Sequence, residues 1–80
     1  MTHFLKLSED LATANRHIAE SQVRVNCQVE LARKLDEGGH DTIEAQDLLR
    51  VLQQSLDAFK AHRDQIFREM ARATATNRPR

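Results

Sequence analysis

The chain has very few of the residues that make turns and cross-links. It contains no tryptophan or tyrosine, and only two glycines and one proline among its 80 residues. Because tight turns depend on glycine and proline, this composition leaves room for very few of them. Alanine, leucine, arginine, glutamine and glutamate are abundant, and all of them favour helices. We therefore predict an all-α protein built from very few elements.

Cys27 is the only cysteine, so an internal disulfide is excluded. The chain has no apolar leader and no apolar run long enough to cross a bilayer. These absences together predict a reducing, cytoplasmic setting and no membrane partner.

The charges balance, with 12 basic and 12 acidic residues. Attraction toward nucleic acid or anionic lipid is therefore not built into the sequence, and a nucleic-acid partner is not expected. Arginine exceeds acid only near the C-terminus, where we predict a flexible tail over residues 73–80.

Apolar residues recur in alternating steps of three and four in both halves of the chain, which is the pattern of helices that pack lengthwise. The first series is Phe4, Leu7, Leu11, Ala14, Ile18, Ser21, Val25, Gln28, Ala32 and Leu35. The second is Ala45, Leu49, Leu52, Leu56, Phe59, Arg63, Ile66, Met70 and Ala73. Only Ser21, Gln28 and Arg63 are polar.

Between the two series, Gly38 and Gly39 supply a backbone that can end a helix, and Asp41 with Glu44 resembles a capping box that opens the next. The predicted single domain, 1–80, has helix 1 over about residues 8–37, with an alternative start near residue 3. The turn follows at 38–41, and helix 2 covers about 42–72.

If the chain reverses at the glycines, residues that face each other have numbers that sum to about 77, and the two apolar series then meet. The fold class is thus an antiparallel, coiled-coil-like two-helix hairpin. The predicted core, of the hairpin and of any dimer, is Leu11, Ile18, Val25, Leu49, Leu52, Leu56, Phe59, Ile66 and Met70.

One such rod buries too little to be stable alone. Further apolar residues, namely Val29, Leu31, Leu48, Val51 and Phe67, widen the stripe to what bundle helices carry. We therefore expect a homodimeric four-helix bundle.

The segment from Val23 to Leu31 alternates apolar and polar residues as a strand would. A helix is preferred there because no second strand exists to pair with it.

His17 and His62 are the residues most able to carry chemistry, because the hairpin register places them at one height. With Glu20 and Asp64 they could bind zinc or another divalent metal. The chain lacks the Glu-x-x-His motif of di-iron bundles, so the preferred interpretation is two half-exposed histidines beside the core. No motif of a catalytic or cofactor site is present, and neither an enzyme nor a cofactor is predicted.

Three segments carry a resemblance: residues 16–20 (RHIAE), the turn 39–42 (GHDT) and residues 62–64 (HRD). Over about residues 8–70 the chain resembles a group of short helical-hairpin proteins of alphaproteobacteria. The resemblance implies a hairpin in a bacterial cytosol, and that group has no assigned activity to carry over. The architecture alone is also similar to Rop-type RNA-binding hairpin dimers, which is an analogy of fold.

The predicted function is a non-enzymatic cytosolic module that dimerises and offers a helical face to an unknown protein partner. Two alternatives stay open: a nucleic-acid-binding hairpin dimer of Rop-like architecture, and a metal-binding bundle that uses His17 and His62.

Overall fold

A computed structural model describes residues 2–76 of the chain, with the side chains of residues 3–75. It consists of two α-helices, α1 (Thr2–Glu37) and α2 (Ile43–Thr76), which pack against each other along their length. The predicted all-helical hairpin is confirmed. It is a rod of 66 × 14 × 13 Å. The segment from Val23 to Leu31, with its strand-like alternation, lies within α1.

Both helices extend further toward the open end than their main predicted bounds. α1 begins at Thr2, close to the alternative predicted start near residue 3 and ahead of residue 8, and Leu7 in its second turn is buried against α2. α2 continues to Thr76, so residues 73–76, predicted as flexible tail, are helical. The alanines at 71, 73 and 75 favour this extension, and the Thr74 hydroxyl bonds back to the carbonyl of Met70 at 3.0 Å. Residues 77–80 of the predicted tail lie outside the described residues.

The turn ends α1 with a Schellman motif. The backbone N–H of His40 donates to the carbonyl of Leu35 at 2.9 Å, and that of Gly39 donates to Asp36 at 3.0 Å. Gly39 has a φ of 74°, the left-handed conformation that costs little only for glycine. Of the two glycines, Gly39 is thus the one whose backbone conformation demands glycine.

Asp41 caps the start of α2, since its Oδ1 accepts a hydrogen bond from the backbone N–H of Ile43 at 2.9 Å. The first helical hydrogen bond of α2 runs from the N–H of Gln46 to the carbonyl of Thr42 at 2.8 Å. Within the described chain Asp41 and Glu44 make no bond to each other, so the predicted capping box does not form and Asp41 caps α2 through Ile43 instead. Glu44 still places a negative charge in the first turn, where it complements the helix dipole.

The core is a single line of residues between the two helices. Its buried apolar members are Leu7, Ala14, Val25, Ala32, Ala45, Leu56 and Ile66, and Ser21 and Gln28 are buried among them. Of the predicted core, Val25, Leu56 and Ile66 are buried, whereas Leu11, Ile18, Leu49, Leu52, Phe59 and Met70 are partly exposed. Two helices alone can cover only one side of each seam residue, which explains the partial exposure.

Candidate interaction surface

The rod carries large apolar side chains that are left uncovered. Nine are exposed, with 39–65% of each residue accessible: Phe4, Leu5, Val23, Val29, Leu31, Ile43, Leu48, Val51 and Phe67. A single exposed leucine is ordinary on a protein surface, whereas a set that gathers in patches marks a site of interaction.

These side chains concentrate at the two ends of the rod. Five of them flank the turn, at residues 29, 31, 43, 48 and 51. Phe4, Leu5 and Phe67 lie at the opposite, open end, where the first turns of α1 meet the last turns of α2. Between the two ends the surface of the described residues is mainly polar, and Val23 is its large exposed apolar side chain.

Two shallow grooves lie near the turn. The larger, about 430 Å³, runs between the helices and is lined by Val29, Gln46, Leu49, Arg50, Gln53 and Gln54. The second, about 390 Å³, follows α1 and is lined by Asn26, Cys27, Glu30, Leu31 and Lys34. Both open widely to solvent and are therefore shaped to receive side chains from another surface rather than to enclose a small molecule.

The total exposed area is large for the mass. The chain exposes 6155 Å², whereas a compact monomer of 9.2 kDa exposes about 4,900 Å². The excess, roughly 1,200 Å², exceeds the ~800 Å² that one partner contributes to a standard interface. The hairpin thus exposes enough surface for a stable interface.

The ion pairs lie along single helices. Lys6 pairs with Asp10 at 3.2 Å and Arg50 with Asp47 at 2.6 Å, and Arg33 pairs with both Glu30 and Glu37. The hydrogen bond from Arg33 lowers the pKa of Glu30 below its ordinary value, and in turn raises that of Arg33. Because these pairs are exposed to solvent, they contribute little to the stability of the fold.

The four metal candidates are not brought together. His17 is partly buried and its ring packs on Phe59, with centroids 5.2 Å apart and planes tilted by 49°. Glu20, His62 and Asp64 are exposed. Among residues 2–76 no three His, Cys, Asp or Glu side chains come close enough to hold a metal ion. Within one hairpin, these residues therefore offer no set of ligands for the predicted metal-binding alternative.

Arg63 is the one charged residue of the core seams, and it is partly buried opposite the small Ala14. Its Nε is buried and has no hydrogen-bond partner. A buried N–H without a partner costs stability, so Arg63 weakens the hairpin relative to an apolar residue at this seam position.

Sequence reasoning identified Val29, Leu31, Leu48, Val51 and Phe67 as surplus apolar residues, and the structure leaves all five exposed. It missed Leu5 and Ile43, which are 58% and 65% exposed. Leu5 lies one position after the core series and Ile43 is the first residue of α2, so neither was counted. The repeated step of three and four, started from Leu5, could have found the first of them.

No protein family matches the chain, and no curated protein or solved structure matches it either. The resemblance to alphaproteobacterial hairpin proteins therefore stays a prediction.

No helix within residues 2–76 combines the length and hydrophobicity that crossing a bilayer requires. Cys27 is exposed and free.

Proposed function

We propose that this protein is a non-enzymatic, cytoplasmic interaction module in which two hairpins form a four-helix bundle and present a helical face to a protein partner. The observation that carries the proposal is the exposed surface of 6155 Å², about a quarter more than a compact chain of this mass exposes. The exposed apolar side chains within that surface supply the driving force, since burying apolar area contributes about 25 cal/mol per Å².

The shape of the surface supports a helical partner. Leu48 and Val51 are one turn apart on α2, and both are about half exposed. Residues three and four apart on a helix form a continuous ridge, which packs into the groove of another helix. A partner that offers an amphipathic helix with apolar residues at the same spacing fits such a ridge.

Measurement of the mass in solution tests the first half of the proposal. Sedimentation equilibrium of the full chain across a concentration series is expected to give twice the chain mass of 9.2 kDa. The melting temperature should rise with concentration, because dissociation is coupled to unfolding. A monomer that stays fully helical at high micromolar concentration would contradict the proposal.

The second half is tested by capture of partners from the native cell, with wild-type protein and a Leu48→Lys variant compared at equal dimer content. A specific partner should bind the wild type and be lost with Leu48→Lys. Zinc that binds stoichiometrically and shifts melting would instead favour the metal-binding alternative. Salt-sensitive binding of mixed nucleic acid would favour the Rop-like alternative.

A further inference from the structure

α1 carries a second series of residues in steps of three and four, beside its core seam. We name it the edge seam: Leu5, Ser8, Ala12, Asn15, Ala19, Gln22, Asn26 and Val29. It contains no charged residue, although six of the residues between Leu5 and Val29 are charged. Seven of its eight members are exposed, and Ser8 is partly buried. A solvent-facing side of a helix is normally where charges collect, so an uncharged exposed seam is suited to be covered.

The edge seam shares one side of the hairpin with two exposed apolar residues of α2. Its last member, Val29, lines the larger groove together with Gln46 and Gln53 of α2. Phe67 lies two heptads after Gln53, and Ile43 lies one turn before Gln46, so both occupy this same side. We name the edge seam together with Ile43 and Phe67 the groove face.

The apolar residues of the groove face sit at its two ends with equal spacing. Leu5 and Val29 are 24 residues apart, and so are Ile43 and Phe67. Each pair is thus separated by about 36 Å along the rod. The midpoints are His17 and Ser55, and the His17 ring packs on Phe59, one turn from Ser55. The two pairs are therefore centred at the same height to within about one helical turn.

We propose that the groove face is covered by a second copy of this chain, reversed end to end about a two-fold axis level with His17. Leu5 of one copy then lies beside Val29 of the other, at the larger groove, and Ile43 lies beside Phe67. An interface with two-fold symmetry uses the same patch on both copies, and this face is complementary to its own reversed copy. The inference rests on the proposed dimer and assigns its interface and polarity.

Charges on α2 favour the reversed arrangement over one with both turns at the same end. The α2 part of this side carries Arg50, Asp57, Lys60 and Asp64. Reversal places α2 against α2, in a register where Arg50 of one copy lies level with Lys60 of the other and within about one turn of its Asp57 and Asp64. With both turns at one end, α2 would instead lie on the uncharged edge seam. Its four charges would then lose water without a partner, which is costly.

The area is sufficient for this occupant. The hairpin exposes about 1,200 Å² more than a compact chain, and a standard interface takes ~800 Å² from each partner. The edge seam also permits close approach, because Ser8, Ala12 and Ala19 are small. Two α1 helices could thus pack at the short distance that such residues allow.

Disulfide trapping tests the polarity, in a Cys27→Ser background so that the native thiol does not interfere. A mixture of Leu5→Cys and Val29→Cys proteins is expected to form a cross-linked dimer on mild oxidation, since a disulfide requires Cα atoms within about 7 Å. A mixture of Leu5→Cys and Phe67→Cys should not, because those residues lie at opposite ends of the reversed pair. The opposite result would overturn the reversed arrangement and place both turns at one end.

Paired charge variants test the face. Val29 and Leu31 are both 47% exposed and point to different sides of α1, so they form a matched pair. Val29→Lys should weaken dimerisation at least tenfold by sedimentation, while Leu31→Lys leaves it within about threefold of wild type. Dissociation by Leu31→Lys alone would assign the interface to the other side. If the wild type itself is a monomer, the result contradicts the proposed dimer as a whole and not only the choice of the groove face as its interface.

Discussion

Gln28 of α1 donates a hydrogen bond from its side-chain Nε2 to the backbone carbonyl of Ala45 in α2, at 2.9 Å and away from solvent. Ala45 is itself buried and small, which lets the amide reach the backbone. The bond fixes one polar seam residue of α1 against Ala45, the third residue of α2. It therefore helps to set the register in which the two apolar series meet.

We expect Gln28→Ala to lower the free energy of unfolding by about 1–3 kcal/mol, since it removes a buried hydrogen bond and leaves a gap. Gln65→Ala is the control, because Gln65 is an exposed glutamine that lies outside both the core seams and the groove face. That control should change stability by less than about 0.5 kcal/mol. Urea unfolding at fixed protein concentration measures both, and equal losses would contradict a special role for Gln28.

The two glycines should respond differently to alanine. Gly39→Ala forces an alanine into a left-handed conformation and is expected to cost about 1–2 kcal/mol. At Gly38 an added Cβ would lie 2.9 Å from the ring carbon Cδ2 of His40, a side chain that can swing away. Gly38→Ala should therefore be nearly neutral. Thermal melting of the two variants would show the same loss for both if the turn depended on glycine content alone.

Arg63→Leu is expected to stabilise the protein, because it removes a buried N–H that has no partner and adds apolar contact. A gain of about 1 kcal/mol would raise the melting temperature by roughly 4–8 °C for a domain of this size. Arg68→Leu is the control, since Arg68 is exposed and off the seam. A lower melting temperature in Arg63→Leu would show that the guanidinium has a stabilising partner in the assembled protein.

Removing Arg33 should raise the pKa of Glu30 toward its ordinary value. The folded pKa of Glu30 is lowered chiefly by the hydrogen bond from Arg33. The pair therefore stabilises the helix fully above the unfolded pKa of Glu30, and this contribution is lost as the pH falls through the folded pKa. Titration of the Glu30 carboxyl carbon by NMR, in wild type and Arg33→Ala, measures the change. Arg50→Ala serves as the control, and an unchanged Glu30 pKa in Arg33→Ala would refute the assignment.

Much of the architecture follows from local chemistry. The steps of three and four place residues such as Val25, Leu56 and Ile66 on one side of a helix whatever surrounds them. Gly39 ends α1 because its backbone adopts a conformation that other residues avoid, and Asp41 opens α2 through a neighbouring N–H. These effects act over a few residues, so they can be recognised in the sequence alone.

The helix ends were less predictable. α2 extends to Thr76, beyond its predicted end near residue 72, and α1 begins at Thr2, near the earlier of its two predicted starts. Leu7 is 3% exposed because Ile66 and Met70 cover it from the other helix. Packing between residues some sixty positions apart thus supports turns that local propensity leaves undecided.

The partners of the polar side chains were decided only by the packed hairpin. The Gln28 amide meets a backbone carbonyl, the His17 ring lies on Phe59 rather than beside a metal ligand, and the Arg63 Nε is buried without a partner. Periodicity gives the side of a helix on which a residue lies, but a hydrogen bond depends on ångström-scale offsets between two helices. Those offsets are set by the sizes of all the side chains along the seam together, and they exist only once the two helices are packed.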